Sequence, residues 1–372
     1  MKLFLVIFLL TYAAVHTLVF WGFYPLFQNH YALPGLLGIW MAAMIAAPIA
    51  VRLCERQGFE SLARGLAWVG YSWMGGVFIA FSLFAVIACG DLIMKLASWP
   101  VPALTRYSVH SAASAGIVLF LVVVGSCYGL YEARNLRTER VTLTSPKLPS
   151  GTKPLRIAQI SDLHLGLIHR DETLAPIIAR LQQLEPDLLV ATGDIVDAQI
   201  NHLEGLAELW QKFTPPLGKF AVTGNHEYYA GLDQALDFLD KSGFRVLHNE
   251  SIEVGNYIKL AGVDDPARGN QPAEEKALGS PSERFTLLLK HRPAIEANSV
   301  HGFDLQLSGH THRGQIFPFN LLTGLQYPRQ NGLYALADGA HLYTSRGTGT
   351  WGPPMRIFSP PEITLFEIVA QE

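Results

Sequence analysis

The sequence lacks cysteine over most of its length. All three cysteines, Cys54, Cys89 and Cys127, fall before residue 150. They lie in or beside apolar runs, far apart and without metal-ligand spacing, so they read as packing residues. From residue 151 onward no disulfide or thiolate chemistry is available. Charge is missing as well: between Lys2 and Arg52 there is no Asp, Glu, Lys or Arg, and the same holds for Gly65–Gly90 and Tyr107–Tyr131. No basic stripe occurs anywhere, which excludes a nucleic-acid partner held by phosphate neutralisation.

What charge there is divides the chain in two. Residues 1–150 hold 10 Lys+Arg and 5 Asp+Glu, and residues 151–372 hold 18 and 26, so the net values of +5 and −8 sum to −3. The charge-free runs, with the first broken at Pro25–Gly35, are each long enough to cross a hydrocarbon core of roughly 30 Å at about 1.5 Å per residue. They predict an all-α four-helix transmembrane bundle over 1–131, with spans at about 3–27, 34–51, 65–90 and 109–131. The apolar run passes Phe20 without a clear small-residue cleavage site, unlike a signal peptide. No Asp, Glu, Lys or Arg lies inside a span, which argues against a transporter; His16 in the first span reads as an interhelical hydrogen-bonding group, and His110 stands at the mouth of the fourth. Lys2, Arg52, Arg56, Arg64, Arg134, Arg137, Arg140 and Lys147 would share one face against Lys95 and Arg106 on the other. That asymmetry places the first face, and the domain after the fourth helix, in the cytoplasm. Thr142–Pro154 has no helical periodicity and several Pro, Ser and Thr, so 132–154 reads as a linker and 155–372 as the second domain.

In the second domain, short apolar runs end in polar or glycine residues: LRIAQISD, LLVATGD, FAVTGNH, FTLLLKH and FDLQLSGH. Asp171–Leu184 and Leu232–Gly243 have helical spacing, and IEVGNYIKLAGV reads as a hairpin turning at Gly255-Asn256. An α/β domain follows. In open α/β sheets ligands bind at the carboxyl ends of strands. Here Asp162 and His164, Asp194 and Asp197, Asn225 and His226, His291, and His310 and His312 all stand at or just past such ends. Carboxylate, amide oxygen and imidazole without thiolate suit Mn²⁺, Zn²⁺ or Fe. Seven ligands exceed what one ion needs, whereas two divalent ions sharing a bridging carboxylate could use them for in-line displacement at phosphorus.

DLH, GDIVD, GNHE, a lone later His and GHTH, in this order, resemble the calcineurin-like metallophosphoesterase superfamily. The late stretch SRGTGTWGPPMRIFSPPEITLFEI resembles its membrane-tethered bacterial branch. The resemblance implies a sandwich of two mixed β-sheets flanked by helices. It implies that Asp162, His164 and His312 hold one metal, that Asn225, His291 and His310 hold the other, and that Asp194 bridges. Manganese is the favoured ion, and attack comes from a metal-bound water or hydroxide. His226 is implied as the proton donor to the leaving oxygen, oriented by Asp197. His169, His202, His248, His301 and His341 match no block and read as surface or hydrogen-bonding residues.

Relatives often have a small residue where this chain has Arg313, so Arg313 is a candidate substrate contact, and Arg346 is a second. Trp351 reads as a loop wall or membrane anchor. The expected protein is a multi-pass membrane phosphoesterase of a bacterial inner or plasma membrane, acting on a phosphodiester or pyrophosphate in a membrane lipid or lipid-linked substrate. UDP-diacylglucosamine pyrophosphatases of the same superfamily supply that analogy. Two alternatives stay open: a phosphodiesterase for soluble nucleotides or cyclic diesters that is merely anchored, and a non-catalytic metal-binding sensor or scaffold.

Overall fold

The computed structural model describes residues 2–27, 30, 32–197, 203, 205–269 and 273–371. The chain divides into two compact units, Met1–Tyr131 with Gly352–Met355, and Glu132–Trp351 with Arg356–Glu372. In the first, α1 (Lys2–Phe23), α2 (Leu33–Arg56), α3 (Glu60–Ala97) and α4 (Ala112–Glu132) are each long and apolar enough to cross a membrane. Part of the break between α1 and α2, residues 28, 29 and 31, lies outside the described residues. The 38 residues of α3 run well past the 65–90 read from the charge-free stretch, about 57 Å at 1.5 Å per residue. Asp91 and Lys95 continue it, because charge ends an apolar run without ending a helix.

Helix α3 is the hub of this unit. Phe23 of α1 meets Phe84 edge-on, with ring centroids 4.8 Å apart. Gly70 lies against Ala47 of α2, and Gly76 against Ser126 of α4. Small residues at these crossings let backbones approach where lipid offers no hydrophobic drive for association. His16 makes the interhelical hydrogen bond: Trp73 Nε1 donates to its Nε2 at 3.0 Å, and its Nδ1 faces Tyr12 O at 2.8 Å.

The second unit is a sandwich of two mixed six-stranded sheets. One sheet runs β1 (Arg137–Ser145), β12 (Glu362–Ala370), β2 (Leu155–Ile160), β3 (Leu188–Thr192), β4 (Lys219–Val222), β5 (Phe244–Val246). The other runs β10 (Gly332–Ala335), β11 (His341–Thr344), β9 (Leu305–Ser308), β8 (Phe285–Lys290), β7 (Ile258–Val263), β6 (Glu250–Val254). Strands β2 to β5 are mutually parallel, as are β7, β8, β9 and β11.

Strand periodicity of two explains the core. Ile157, Leu188, Val190, Phe366 and Ile368 point between the sheets to meet Leu260, Leu287, Leu289 and Leu307. Their neighbours Ala158, Leu189, Ala191 and Leu365 point outward. There α5 (Asp171–Leu184), α6 (Leu206–Gln211) and α8 (Leu232–Lys241) cover them. On the far face of the second sheet, α9 (Glu274–Leu278) packs Ala277 and Leu278 against Ala261, Val263 and Leu288. Two short helices remain, α7 (Asn225–Ala230) and α10 (Phe319–Gln326). The hairpin read at Gly255-Asn256 joins β6 and β7 in antiparallel register.

One boundary needs correction. Residues 132–154 are not a plain linker, because Arg137–Ser145 is strand β1, paired in parallel with β12 along all nine residues. RTERVTLTS is an edge strand whose exposed face is polar, so it has the β-branched residues of a strand without the apolar run that marked the others.

Candidate metal centre

The seven candidate ligands leave from the carboxyl ends of β2, β3, β4, β8 and β9. Three of the five ligand turns, those after β2, β3 and β9, are held in a conformation that an ordinary residue rarely adopts. Asp162, His164, Asp194, His310 and His312 all have left-handed backbone, with φ of 53°, 52°, 53°, 72° and 46°. Such residues cost on the order of 1–3 kcal/mol each and persist only when their surroundings over-determine them. Cross-strand hydrogen bonds do so here: Asp162 N donates to Gly193 O, and His164 N to Asp194 O, both at 3.0 Å, and Gly309 N donates to His291 O at 2.8 Å. Gly309 and Gly224 are required for close approach. A Cβ on Gly309 would collide with Ser161 Oγ and Asp162 Oδ2, and one on Gly224 with Asp194 Oδ1. Gly309 therefore makes room for a ligand carboxylate rather than for the ions themselves.

The structure brings the carboxylate and imidazole ligand atoms together in two groups, Asp162–His164–His312 and Asp194–His291–His310, linked through a third in which His164 and Asp194 meet His226. His312 Nε2 lies 3.1 Å from His164 Nε2 and 3.4 Å from Asp162 Oδ1. His310 Nδ1 lies 3.1 Å from His291 Nε2, which is 3.2 Å from Asp194 Oδ2. That same Asp194 oxygen is 3.9 Å from His164 Nε2, so Asp194 stands between the groups. Asn225 Oδ1 and His164 Nδ1 are buried without a hydrogen-bond partner. A buried amide oxygen left unsatisfied is costly, and beside converging imidazoles and carboxylates it is the mark of a cation site. His291 Nδ1 faces Thr192 O at 2.7 Å. A carbonyl only accepts, so Nδ1 carries a proton; burial lowers His291, but the facing Asp194 carboxylate outweighs it and raises it to about 10, so Nε2, aimed into the cluster, holds a proton whose place a cation would take.

Electrostatics separate the histidines. Burial holds His164 and His312 well below the usual imidazole range, and for His312 the charge of Arg356 adds to this. Burial likewise lowers His310 to about 3. These rings are neutral, as ligands must be. His226 goes the other way: burial lowers it, but its hydrogen bond to Asp197 and the charge of Asp194 outweigh burial and raise it. Its Nδ1 is 2.8 Å from Asp197 Oδ1, and its backbone N donates to Asp194 Oδ1 at 2.8 Å. Tyr229 and Trp351 meet the His226 ring edge-on at 5.3 and 5.8 Å. Trp351 is thus a wall of this site.

Two supporting residues were not singled out in the sequence. Glu227, fully buried, accepts from the backbone N–H groups of Asp194, Ile195, Val196 and Gly224 at 2.7–3.2 Å, fixing the turn that carries Asp194. Its signal was present as the final letter of GNHE. Arg356, also fully buried, donates to Gly349 O and Ser359 O and toward His312 Nδ1 at 3.1 Å. Only its place in the late stretch could have pointed to it. Arg346 departs from expectation. Its guanidinium pairs with Glu139 of β1 and, at 2.5 Å, with Glu362 of β12, so it is spent as a structural ion pair rather than offered to a substrate. Arg313 follows ligand His312 directly in left-handed backbone (φ 49°) and is half-buried. Of the histidines outside the motif blocks, His169 and His248 hydrogen-bond to Thr350 and Asp264, and His202 lies outside the described residues.

The sequence is similar to known proteins. The family model for calcineurin-like phosphoesterase matches residues 155–314. An uncharacterized metallophosphoesterase of Aquifex aeolicus is 40% identical over 265 residues, covering 67% of this chain and 98% of that protein. One from Campylobacter jejuni is 33% identical, covering 66% of this chain and 68% of that one. A transmembrane protein with metallophosphoesterase domain from Danio rerio is 33% identical over 317 residues, covering 80% of this chain and 72% of that protein. With the five motif blocks meeting at one cluster, the chain belongs to the calcineurin-like metallophosphoesterase family and is a metal-dependent phosphoester hydrolase.

Proposed function

We propose that this protein is a membrane-bound phosphoesterase that hydrolyses a phosphodiester or pyrophosphate bond in a lipid or lipid-linked substrate at the cytoplasmic face. The observation carrying this reading is the convergence of Asp162, His164, Asp194, His291, His310 and His312, with the buried and unpartnered Asn225 Oδ1, in a chain with four helices able to cross a membrane. Asp162, His164 and His312 would hold one divalent ion, Asn225, His291 and His310 the other, and Asp194 would be shared. The oxygen and nitrogen donors favour Mn²⁺, with Zn²⁺ or Fe also compatible. The ions would supply Lewis acidity and a low-pKa water.

The remaining chemistry belongs to the protein's own residues. Against burial, the Asp197 hydrogen bond and the Asp194 charge favour the charged form of His226, and Asp197 orients the ring so that Nε2 can deliver a proton to the leaving oxygen. Glu227 keeps the Asp194 turn rigid through four backbone donors. Arg313, which follows ligand His312 directly, would engage a second phosphate or a carboxylate of the substrate, which planar guanidinium does bidentately.

The test is hydrolysis by the full chain in lipid nanodiscs, with Mn²⁺, Zn²⁺ or Mg²⁺, of nitrophenyl phosphate mono- and diesters and of phospholipid and lipid-pyrophosphate substrates. Turnover of a lipid substrate, lost in Asp194→Asn, is expected. Free cleavage of soluble diesters with every lipid ignored would remove the lipid part of the reading. The orientation rests on the Lys and Arg asymmetry, and protease protection placing the C-terminus outside the cytoplasm would reverse it.

A further inference from the structure

The catalytic unit carries an apolar surface that its own fold does not explain. Among the described residues of that unit, Tyr229 and Leu333 are the only large exposed apolar side chains outside two segments, 317–325 and 351–358. Helix α10 is made of FNLLTGLQ yet has no buried residue. Leu321, Leu322 and Leu325 are 62%, 60% and 81% exposed, with Phe317 and Phe319 nearly half exposed beside them. The two segments are joined. Gln315 and the Trp351 backbone exchange two hydrogen bonds at 2.9 Å, Phe317 N donates to Ile357 O at 3.2 Å, and the Phe317 and Phe358 rings meet at 5.8 Å. The patch begins at the ligand turn itself, three residues after Gly314. Exposed contiguous apolar surface of this kind marks an interaction site.

Charge identifies the occupant. The domain as a whole is acidic, but no Asp or Glu occurs from Leu305 to Ala337 or from Gly339 to Pro361. Arg313 and the exposed Arg329 stand within the first of these stretches. An apolar face rimmed by arginines and cleared of acids is complementary to an anionic bilayer surface. The chain also supplies that surface, since only residues 133–136 separate the membrane-crossing α4 from β1. We infer that α10, with Phe317, Trp351 and Phe358, forms a second membrane contact, a peripheral surface beside the His310–Gly314 ligand turn that seats in the interface of an anionic bilayer. This contact goes beyond the hydrolytic reading and does not depend on which phosphoester is cleaved.

The test uses the full chain with Cys54, Cys89 and Cys127 replaced by serine, reconstituted in phosphatidylcholine/phosphatidylglycerol nanodiscs. A nitroxide label is placed singly through Leu322→Cys, Leu325→Cys and, as a water-exposed control on α8, Asp237→Cys. Oxygen partitions into lipid and a nickel chelate into water, so their collision rates report depth. The inference expects oxygen to dominate at positions 322 and 325 and the chelate to dominate at 237. Chelate access at 322 and 325 equal to that at 237 would overturn it. So would protection from both reagents, which would mean that protein, from this chain or a second copy, covers the helix. No hydrolysis is read, so failure here is distinct from failure of the lipid-substrate reading.

Discussion

The two units treat polar groups in opposite ways. Among the described residues of the four helices, His16 and, at the end of α4, Glu132 are the only buried His, Asp, Glu, Lys or Arg side chains, and His16 is held by Tyr12 and Trp73. The catalytic unit buries Asp162, His164, Asp194, Asn225, His226, Glu227 and His291 around one point and leaves Asn225 Oδ1 and His164 Nδ1 without partners. Helices satisfy their own backbones, which is what a bilayer demands, and need little else. A reactive centre needs the reverse: charge held out of water in strained turns, ready for a cation and a phosphate. The comparison teaches that chemistry and anchoring are divided between the units, and that division can be tested.

Asp194→Asn should have the largest effect. It removes the carboxylate that lies between the ligand groups, so the loss should exceed the roughly 10–100-fold typical of removing a mere supporting partner of a ligand. Turnover of a nitrophenyl diester and metal content per chain would both fall, and retained turnover would break the assignment. His226→Ala should lower kcat by about 10²–10⁴-fold, the usual range for a general acid, while metal content stays unchanged. Asp197→Asn, acting through His226, should cost less, roughly 10–100-fold.

Arg346→Met should act on stability instead of catalysis. It leaves Glu362 buried and unpaired, at a cost on the order of 3 kcal/mol, read as a lowered denaturant midpoint with KM unmoved. A selective rise in KM would return Arg346 to the substrate. The smallest effect is expected for His16→Leu, where one interhelical hydrogen bond is worth about 0.6–1.7 kcal/mol. Diester turnover should be unchanged, and a large loss of kcat would show that the helical unit takes part in the chemistry.

Much of the site was legible because its signals are local. Each ligand lies within four residues of the end of an apolar strand, and helices such as Asp171–Leu184 coincide with their pattern of apolar spacing. What escaped was non-local. Strand β1 has the local pattern of a linker because its partner, β12, lies over 200 residues away and its own pattern is polar. Arg346 looked available for the same reason, since Glu139, its partner, belongs to that hidden strand. The apolar α10 escaped because its composition resembles a core helix, and only its exposure separates the two.

The sequence by itself determined the chemical inventory: four charge-free runs of membrane length, and Asp, Asn and His donors in five ordered blocks without a cysteine among them. Periodicity and residue type are properties of neighbours along the chain, so they survive without coordinates. Tertiary structure alone decided which carboxylate stands between the two ligand groups, which arginine is spent in an ion pair, and which apolar helix is left uncovered. Those outcomes depend on distances of a few ångströms between segments far apart in sequence, fixed when the two sheets close on their shared core.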